Sequence, residues 1–325
     1  MQAAIIIPTD FLEPIATPRP FHMALAHRVL SDNAYAEFYA SLRNPERSPN
    51  PPFILMDNSL MENGHVAISL EDVEHAAIRI NADEVVLPDA FRDFQGNNQL
   101  LDESMAQIRV NDKALRAMVT PMRRAPRVAG VVQGSDPLEL HASFEIMART
   151  VDTICIPKVV DDIYPEGGRL KFIMDLEADK RISSIVGTPS MRGVGYMRAV
   201  HLLGVWNRPA EIYAIESIWP GMIRSVDSAL PFHAGLAGHR FHTGYGMADD
   251  NGVIVKAKRP DNYLDICRVD ITEDQGYNIA YNIYVFDGYA EGKNYGGAGS
   301  SAETWQTIVS SYKRDPQHYR VQWKY

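Results

Sequence analysis

The chain has 325 residues, 46% of them hydrophobic and 22% charged, with a mean hydropathy of -0.21. Such a chain reads as a soluble globular protein of one large or two ordinary domains, and no apolar run approaches the ~20 residues of a membrane span. A formal net charge of -9 argues against loose, sequence-blind nucleic-acid binding through basicity, and two cysteines, Cys155 and Cys267, exclude a disulfide framework or a four-cysteine zinc site.

The start, MQAAIIIPTD, lacks a basic n-region and its apolar run is too short for a signal peptide. A reducing cytoplasm is the expected location, that of the host cell if the protein is phage-encoded. Two acid-free stretches carry local positive charge. One holds Arg123, Arg124 and Arg127, the other Arg192, Arg198 and Arg208. Each also fits an ordinary solvated surface.

Residues Ala3 to Ile7 read as a first strand, stopped by Pro8. Phe21, Leu25 and Val29 stand at i, i+4 and i+8, a helical stripe. A proline-rich loop, RNPERSPNPP, leads to FILMDNS, in which an apolar run ends on Asp57. Such a run reads as a strand buried on both faces. Ser69 opens a helix with a capping-box pattern, Asp72 standing in the usual Glu place, and Val73, Ala76, Ala77 and Ile80 form its inner face. The next strand, Glu84 to Leu87, ends at Pro88-Asp89, and a helix follows over about Leu101 to Met118.

The fourth strand, Val128 to Val132, ends in Gln133-Gly134. A helix over Pro137 to Thr150 leads to a fifth strand, Thr153 to Ile156, ending at Pro157-Lys158. A further helix, about Leu170 to Lys180, precedes a sixth strand, Val200 to Leu203, ending at Gly204. The next helix starts after Pro209, a residue that suits a first helical position. The seventh strand, Ser225 to Leu230, carries Asp227.

Seven β-then-α units imply a parallel sheet with helices outside, and near eight such units closure is the natural outcome. The expected fold class is α/β, a (β/α)8 TIM-like barrel with an extended, helix-containing C-terminal segment. The barrel is expected over 1–260 and the packed segment, not an independent domain, over 261–325. The best local candidate for the eighth strand is Gly252 to Lys258. Tyr277 to Tyr289 fits a strand or a helix, with helix preferred. A last helix is signalled by Ser300-x-x-Glu303 and the stripe Trp305, Ile308, Val309 and Tyr312.

Three acids end apolar strands: Asp57, Asp89 and Asp227. A carboxylate there is partly desolvated, which costs free energy unless it is hydrogen-bonded or functional. A single one also fits a helix N-cap. Two carboxylates flanking a sugar are what retaining glycosyl transfer needs. A further carboxylate and a glutamine amide can read the edge of a guanine, the acid accepting from N–H groups and the amide donating to the carbonyl.

FILMDNS, EVVLPD, VVQG, HLLGV and SVDSALP, in this order, resemble the motifs of the queuine and archaeosine tRNA-guanine transglycosylases, over about Phe53 to Pro231. The chain looks most like the DpdA-type branch, phage and bacterial enzymes that insert 7-deazaguanine derivatives into DNA. The resemblance implies Asp227 as nucleophile, Asp57 as general acid/base and Asp89 as the residue that recognises the base. It places Gln133 and Gly134 along the base's carbonyl edge and Leu203 and Gly204 at the pocket floor. Asn58 stands where the family usually has a serine. Pro157-Lys158 replaces a Gly-Leu-Ala-type run, which bears on the 7-substituent that Lys158 would meet.

The implied partners are DNA and a free 7-deazaguanine base such as 7-cyano-7-deazaguanine, with no membrane. The tRNA enzymes form homodimers, whereas this chain's tail differs, which leaves assembly open. No cofactor is expected, because the family's three-cysteine, one-histidine zinc site cannot be built around Cys267 alone. His233, His239 and His242 lie in the segment that replaces the tRNA-gripping region and suit either a metal or a polar loop. The same chemistry on tRNA and a non-catalytic nucleic-acid-binding partner subunit are the alternative readings.

Overall fold

A computed structural model describes residues 1–16, 19–62, 64–118, 126–164, 167–190, 196–205, 209–241, 247–248, 254–255 and 272–293. In chain order the elements begin with β1 (Gln2–Ile5), α1 (Leu12–Ala16), β2 (Phe21–Leu25), α2 (Ala26–Ser31) and α3 (Asn33–Ser41). Next come β3 (Phe53–Asp57), α4 (Leu70–Ile80), β4 (Glu84–Val86), α5 (Phe94–Met118), β5 (Arg127–Val131) and α6 (Pro137–Thr150). They continue with β6 (Thr153–Pro157), α7 (Val160–Ile163), α8 (Gly168–Ala178), β7 (Ala199–Leu203), α9 (Ala210–Ile218) and β8 (Ser225–Ser228). The described part closes with α10 (Leu230–Leu236), β9 (Arg240–Phe241), β10 (Met247–Ala248), β11 (Ile254–Val255) and α11 (Glu273–Ala290).

Strands β1 to β8 make one eight-stranded sheet in the order 1-8-7-6-5-4-3-2, with helices between successive strands. The fold class is α/β, of the (β/α)8 TIM-like kind. Among the described residues no helix is long and apolar enough to cross a membrane.

One strand differs from the sequence reading. The eighth member of the sheet is β2, Phe21–Leu25, and not Gly252 to Lys258. Of that later stretch, Ile254–Val255 pairs antiparallel with β10 in a separate three-stranded sheet. The physical reason lies in FHMAL itself, buried at all five positions. A strand covered on both faces shows no alternation, so its apolar residues fit a helical stripe equally well. The helix foreseen from Phe21 onward begins only at Ala26. Helix α5 starts earlier than Leu101, at Phe94, whereas α9 starts directly after Pro209, its N-cap, as read from the sequence. The Tyr277 to Tyr289 stretch is helical within α11, whose start is closed by a capping box between Thr272 and Gln275. The helix signalled after Ser300 lies outside the described residues.

The chain divides into two compact units. The first comprises 20–159 and 187–199. In it β2, β3, β4, β5 and β6 pair in parallel, with Leu25 opposite Asp57 and Leu55 opposite Glu84. Its core includes Leu55, Met56, Val85, Val86, Val131 and Ile156. Helix α4 presents the foreseen stripe, with Val73, Ala76, Ala77 and Ile80 all buried. Its start is held by the Ser69 hydroxyl, which accepts from the Asp72 N–H at 3.1 Å and donates to the Asp72 carboxylate at 2.8 Å. The acid at N3 thus bonds the cap's hydroxyl.

The second unit comprises 1–19, 160–186 and 200–325. Here β1 pairs with β8, Ala4 opposite Asp227, and β8 pairs with β7, His201 opposite Ser225. Helix α11 buries Ile279, Val285, Phe286 and Tyr289. Asn282 on the same helix donates to the His239 carbonyl at 2.9 Å and accepts from the Phe241 N–H at 2.6 Å. Asp287 pairs with Arg19, and the N-terminal ammonium donates to the Ala290 carbonyl at 2.8 Å.

Candidate active site

Each of the three acids lies near the carboxyl end of its own strand. Asp57 is the last residue of β3, Asp89 follows β4, and Asp227 is the third residue of β8. In parallel α/β sheets this is where ligands bind. The two units carry different arrangements.

In the unit holding residues 20–159, Asn58, Asp89 and Gln133 form one buried network. The Asn58 amide donates at 2.6 Å to Asp89 Oδ1 and at 2.6 Å to the Leu87 carbonyl. The Gln133 amide donates at 2.5 Å to Asp89 Oδ2. Gln133 Oε1 accepts from the Arg92 N–H at 3.0 Å, and Asn58 Oδ1 accepts from the Leu60 N–H at 3.1 Å. Both Asp89 oxygens therefore hold an amide donor. Burial pushes its pKa from 3.8 up to about 6, against the lowering effect of the Gln133 and Asn58 hydrogen bonds. A carboxylate oxygen can accept twice, so the network keeps acceptor capacity for a further donor.

Asp57 is buried, and its Oδ2 accepts from the Ser59 N–H at 2.8 Å. Ser59 adopts a left-handed φ of 60°, unusual for a residue with a Cβ. It is fixed there by this bond and by its hydroxyl, which accepts from the His27 N–H at 3.3 Å. A second left-handed residue, Arg92 at φ 57°, follows β4 and supplies the N–H that orients Gln133. Such conformations persist where surrounding bonds over-determine them, and they cluster at functional sites.

Gly134 has a packing reason of its own. A Cβ there would stand 2.8 Å from Glu139 Cβ and 2.9 Å from the Leu140 backbone nitrogen, so α6 could not approach. Lys158 is half-buried, one residue beyond β6.

In the unit holding residues 200–325, Asp227 is the centre. Its Oδ1 accepts from the Gly204 N–H at 2.8 Å and meets His201 Nε2 at 3.0 Å. Among the described residues Oδ2 makes no hydrogen bond. Gly204 has φ 70°, a conformation glycine adopts freely, and this turn aims its N–H back at the acid. Leu203, half-buried, precedes it and gives its carbonyl to the fully buried Arg169 at 3.2 Å. Arg169 also pairs with the buried Glu211. Ser228 accepts from the Leu230 N–H and donates to the Val205 carbonyl, both at 2.9 Å, tying the end of β8 to the turn after β7.

Asn58, Asp89 and Gln133 are thus brought together in one unit, and Leu203, Gly204 and Asp227 in the other. His233 is buried in α10, His239 lies just beyond it, and His242 and Cys267 fall outside the described residues. Among the participants that escaped the sequence reading are Arg92, His201 and Ser225, whose Oγ lies 2.9 Å from His201 Nδ1. The signal for His201 was present, since it is the polar first letter of HLLGV in an otherwise apolar strand. Period two puts it on the face that β8 lines with Ser225 and Asp227. No protein-family model matches the chain, and no curated protein matches it.

Proposed function

We propose that this protein is a base-exchange pentosyltransferase that replaces guanine in DNA by a free 7-deazaguanine derivative. The observation that carries the reading is Asp227: one carboxylate oxygen is held by the Gly204 N–H and a His201 ring nitrogen, and the other has no hydrogen bond among the described residues. An acid fixed in this way is prepared to attack rather than to cap a helix. The Asp89, Asn58 and Gln133 network offers the mixed acceptor and amide groups that a purine edge requires.

The target deoxyguanosine leaves the base stack, as chemistry on a base requires. Asp227 Oδ2 attacks C1′, the C1′–N9 bond breaks, and guanine departs with a proton from the general acid, the role that the resemblance gives Asp57. The free base then enters. Asp57 takes its N9 proton, N9 attacks C1′, and the aspartyl ester bond breaks to regenerate the carboxylate. Two inversions give overall retention. One glycosidic bond replaces another, so the step needs no redox partner and no nucleotide energy source.

The test is nucleoside mass spectrometry of DNA incubated with the protein and each candidate base, run beside the same incubation with tRNA. A 7-deazaguanine nucleoside appearing in DNA supports the reading. Incorporation into tRNA alone moves the substrate to the other polymer. No incorporation into either, with tight binding of nucleic acid, points to a non-catalytic partner subunit.

A further inference from the structure

We propose that His201 is the positioning residue of Asp227, locked as its Nε2-protonated neutral tautomer by a one-way hydrogen-bond relay that starts at Arg224 and passes through Ser225. The inference rests on Asp227 being the nucleophile and adds how that nucleophile is held.

The direction of the relay follows from counting protons. Arg224 is donor-only, and its Nε gives a hydrogen bond to Ser225 Oγ at 3.2 Å. Ser225 Oγ lies 2.9 Å from His201 Nδ1, and His201 Nε2 lies 3.0 Å from Asp227 Oδ1. An ionised carboxylate only accepts, so Nε2 bears the proton facing it. Ser225 already accepts from a cation, and it has one hydroxyl proton to give. Giving it to a bare Nδ1 completes the chain, with the Ser225 hydroxyl and both His201 ring nitrogens satisfied. An imidazolium would make Ser225 accept twice, would leave its hydroxyl proton to find another acceptor, and would set a second cation against the Arg224 guanidinium. All of His201, Ser225 and Asp227 are buried, where such a mismatch is costly.

The arrangement has a chemical consequence. A neutral donor orients Asp227 without cancelling its charge, so Oδ2 keeps its nucleophilicity. In the covalent intermediate Oδ1 becomes the ester carbonyl, still facing the His201 and Gly204 N–H groups. When the incoming base displaces the ester, negative charge returns to the carboxylate against those two waiting donors. The same contacts thus serve attack and departure. A histidine that was merely a satisfied core residue would have no such effect on either step.

Two measurements decide this. In uniformly 15N-labelled protein, the His201 ring, assigned by the signal missing from His201→Gln, should show a protonated Nε2 and a bare Nδ1 at neutral pH. An imidazolium, or the opposite tautomer, overturns the relay. The second is the rate of covalent DNA trapping. His201→Leu keeps volume but removes the donor, and should slow trapping about 10- to 100-fold with DNA affinity unchanged, as loss of a hydrogen bond to a charged group predicts. His201→Gln, which keeps an N–H near Asp227, should restore most of the rate. Ser225→Ala, a smaller change, should leave the protein folded and Nε2 protonated but move the Nδ1 nitrogen signal, which loses its donor; an unmoved Nδ1 signal overturns the Ser225 link. A folded His201→Leu that traps at the wild-type rate overturns the positioning role and leaves Asp227 untouched. Wild-type protein that never traps DNA instead removes the nucleophile reading, while the tautomer is still measured.

Discussion

Asp227 and Asp89 are the same residue type at the ends of parallel strands, yet their surroundings give them opposite characters. Asp227 is held through one oxygen, by a backbone N–H and a ring nitrogen. Asp89 is held through both, by two side-chain amides, and burial lifts its pKa to about 6. The first arrangement leaves an electron pair free to form a bond. The second makes a rigid panel that can present acceptors but has little freedom to react. Position at a strand end selects where an acid can meet a ligand, and the donors around it select what it can do there.

The sharpest way to break this contrast is to remove each acid and ask what is lost. Asp227→Ala should abolish covalent trapping and reduce base exchange by about 10⁴-fold or more, the scale seen when a nucleophile is deleted. Gel-shift assay of denaturation-resistant DNA–protein adducts reads this directly, and a variant that still forms adducts would shift the nucleophile elsewhere.

The support beneath Leu203 and Gly204 comes next. Arg169→Met leaves Glu211 buried without its partner and should destabilise the protein by about 3–5 kcal/mol in chemical denaturation. The double variant Arg169→Met/Glu211→Leu should recover much of that loss. If the double variant is as unstable as the single one, the guanidinium bond to the Leu203 carbonyl matters more than the ion pair.

Asp89 should announce itself through pH. Its folded-state pKa is raised to about 6 from 3.8, so the folded protein takes this proton before the unfolded chain does. The stabilisation is fully present below pH 3.8 and is lost as pH rises through about 6, amounting to at most about 3 kcal/mol. Asp89→Asn removes this slope. Unfolding free energies of the two proteins, compared between pH 4 and 7, should therefore differ in slope, and parallel curves would contradict the burial of this carboxyl. The smallest effect belongs to Gly134→Ala, which forces α6 away from the end of β5. It should cost about 1–3 kcal/mol, visible as a lowered Tm.

How much of this was legible beforehand depended on what each segment had to bury. Strands such as FILMD and EVV announced themselves because an apolar run stops at an acid. FHMAL carried the same double-sided burial but ended on Leu25 with no polar stop, so nothing separated it from a helix. The early part of α5, FQGNNQ, was unreadable for the opposite reason. It has no apolar stripe, and Asn97 buries its amide there to satisfy the Ala90 N–H and the Val131 carbonyl. The acids, Asn58 and Gln133 could be picked out as single letters. Which of them bond to one another could not, because a hydrogen bond between Asn58 and Asp89, or between His201 and Asp227, is a fact about neighbouring strands that no local pattern encodes.

The pairing of β1 with β8 reaches further than the site. Residues 2–5 find their partners at 225–228, almost the whole length of the sheet away along the chain. During synthesis β1 must wait, without its strand partner, until the last strand of the series has been made. Contacts of such long sequence separation form slowly, since closing the intervening loop costs entropy before any pairing rewards it. The acid at the end of β8 is therefore set in place by the same late event that seals the sheet's first strand, and a chain stalled before that event has no assembled Asp227 to misuse.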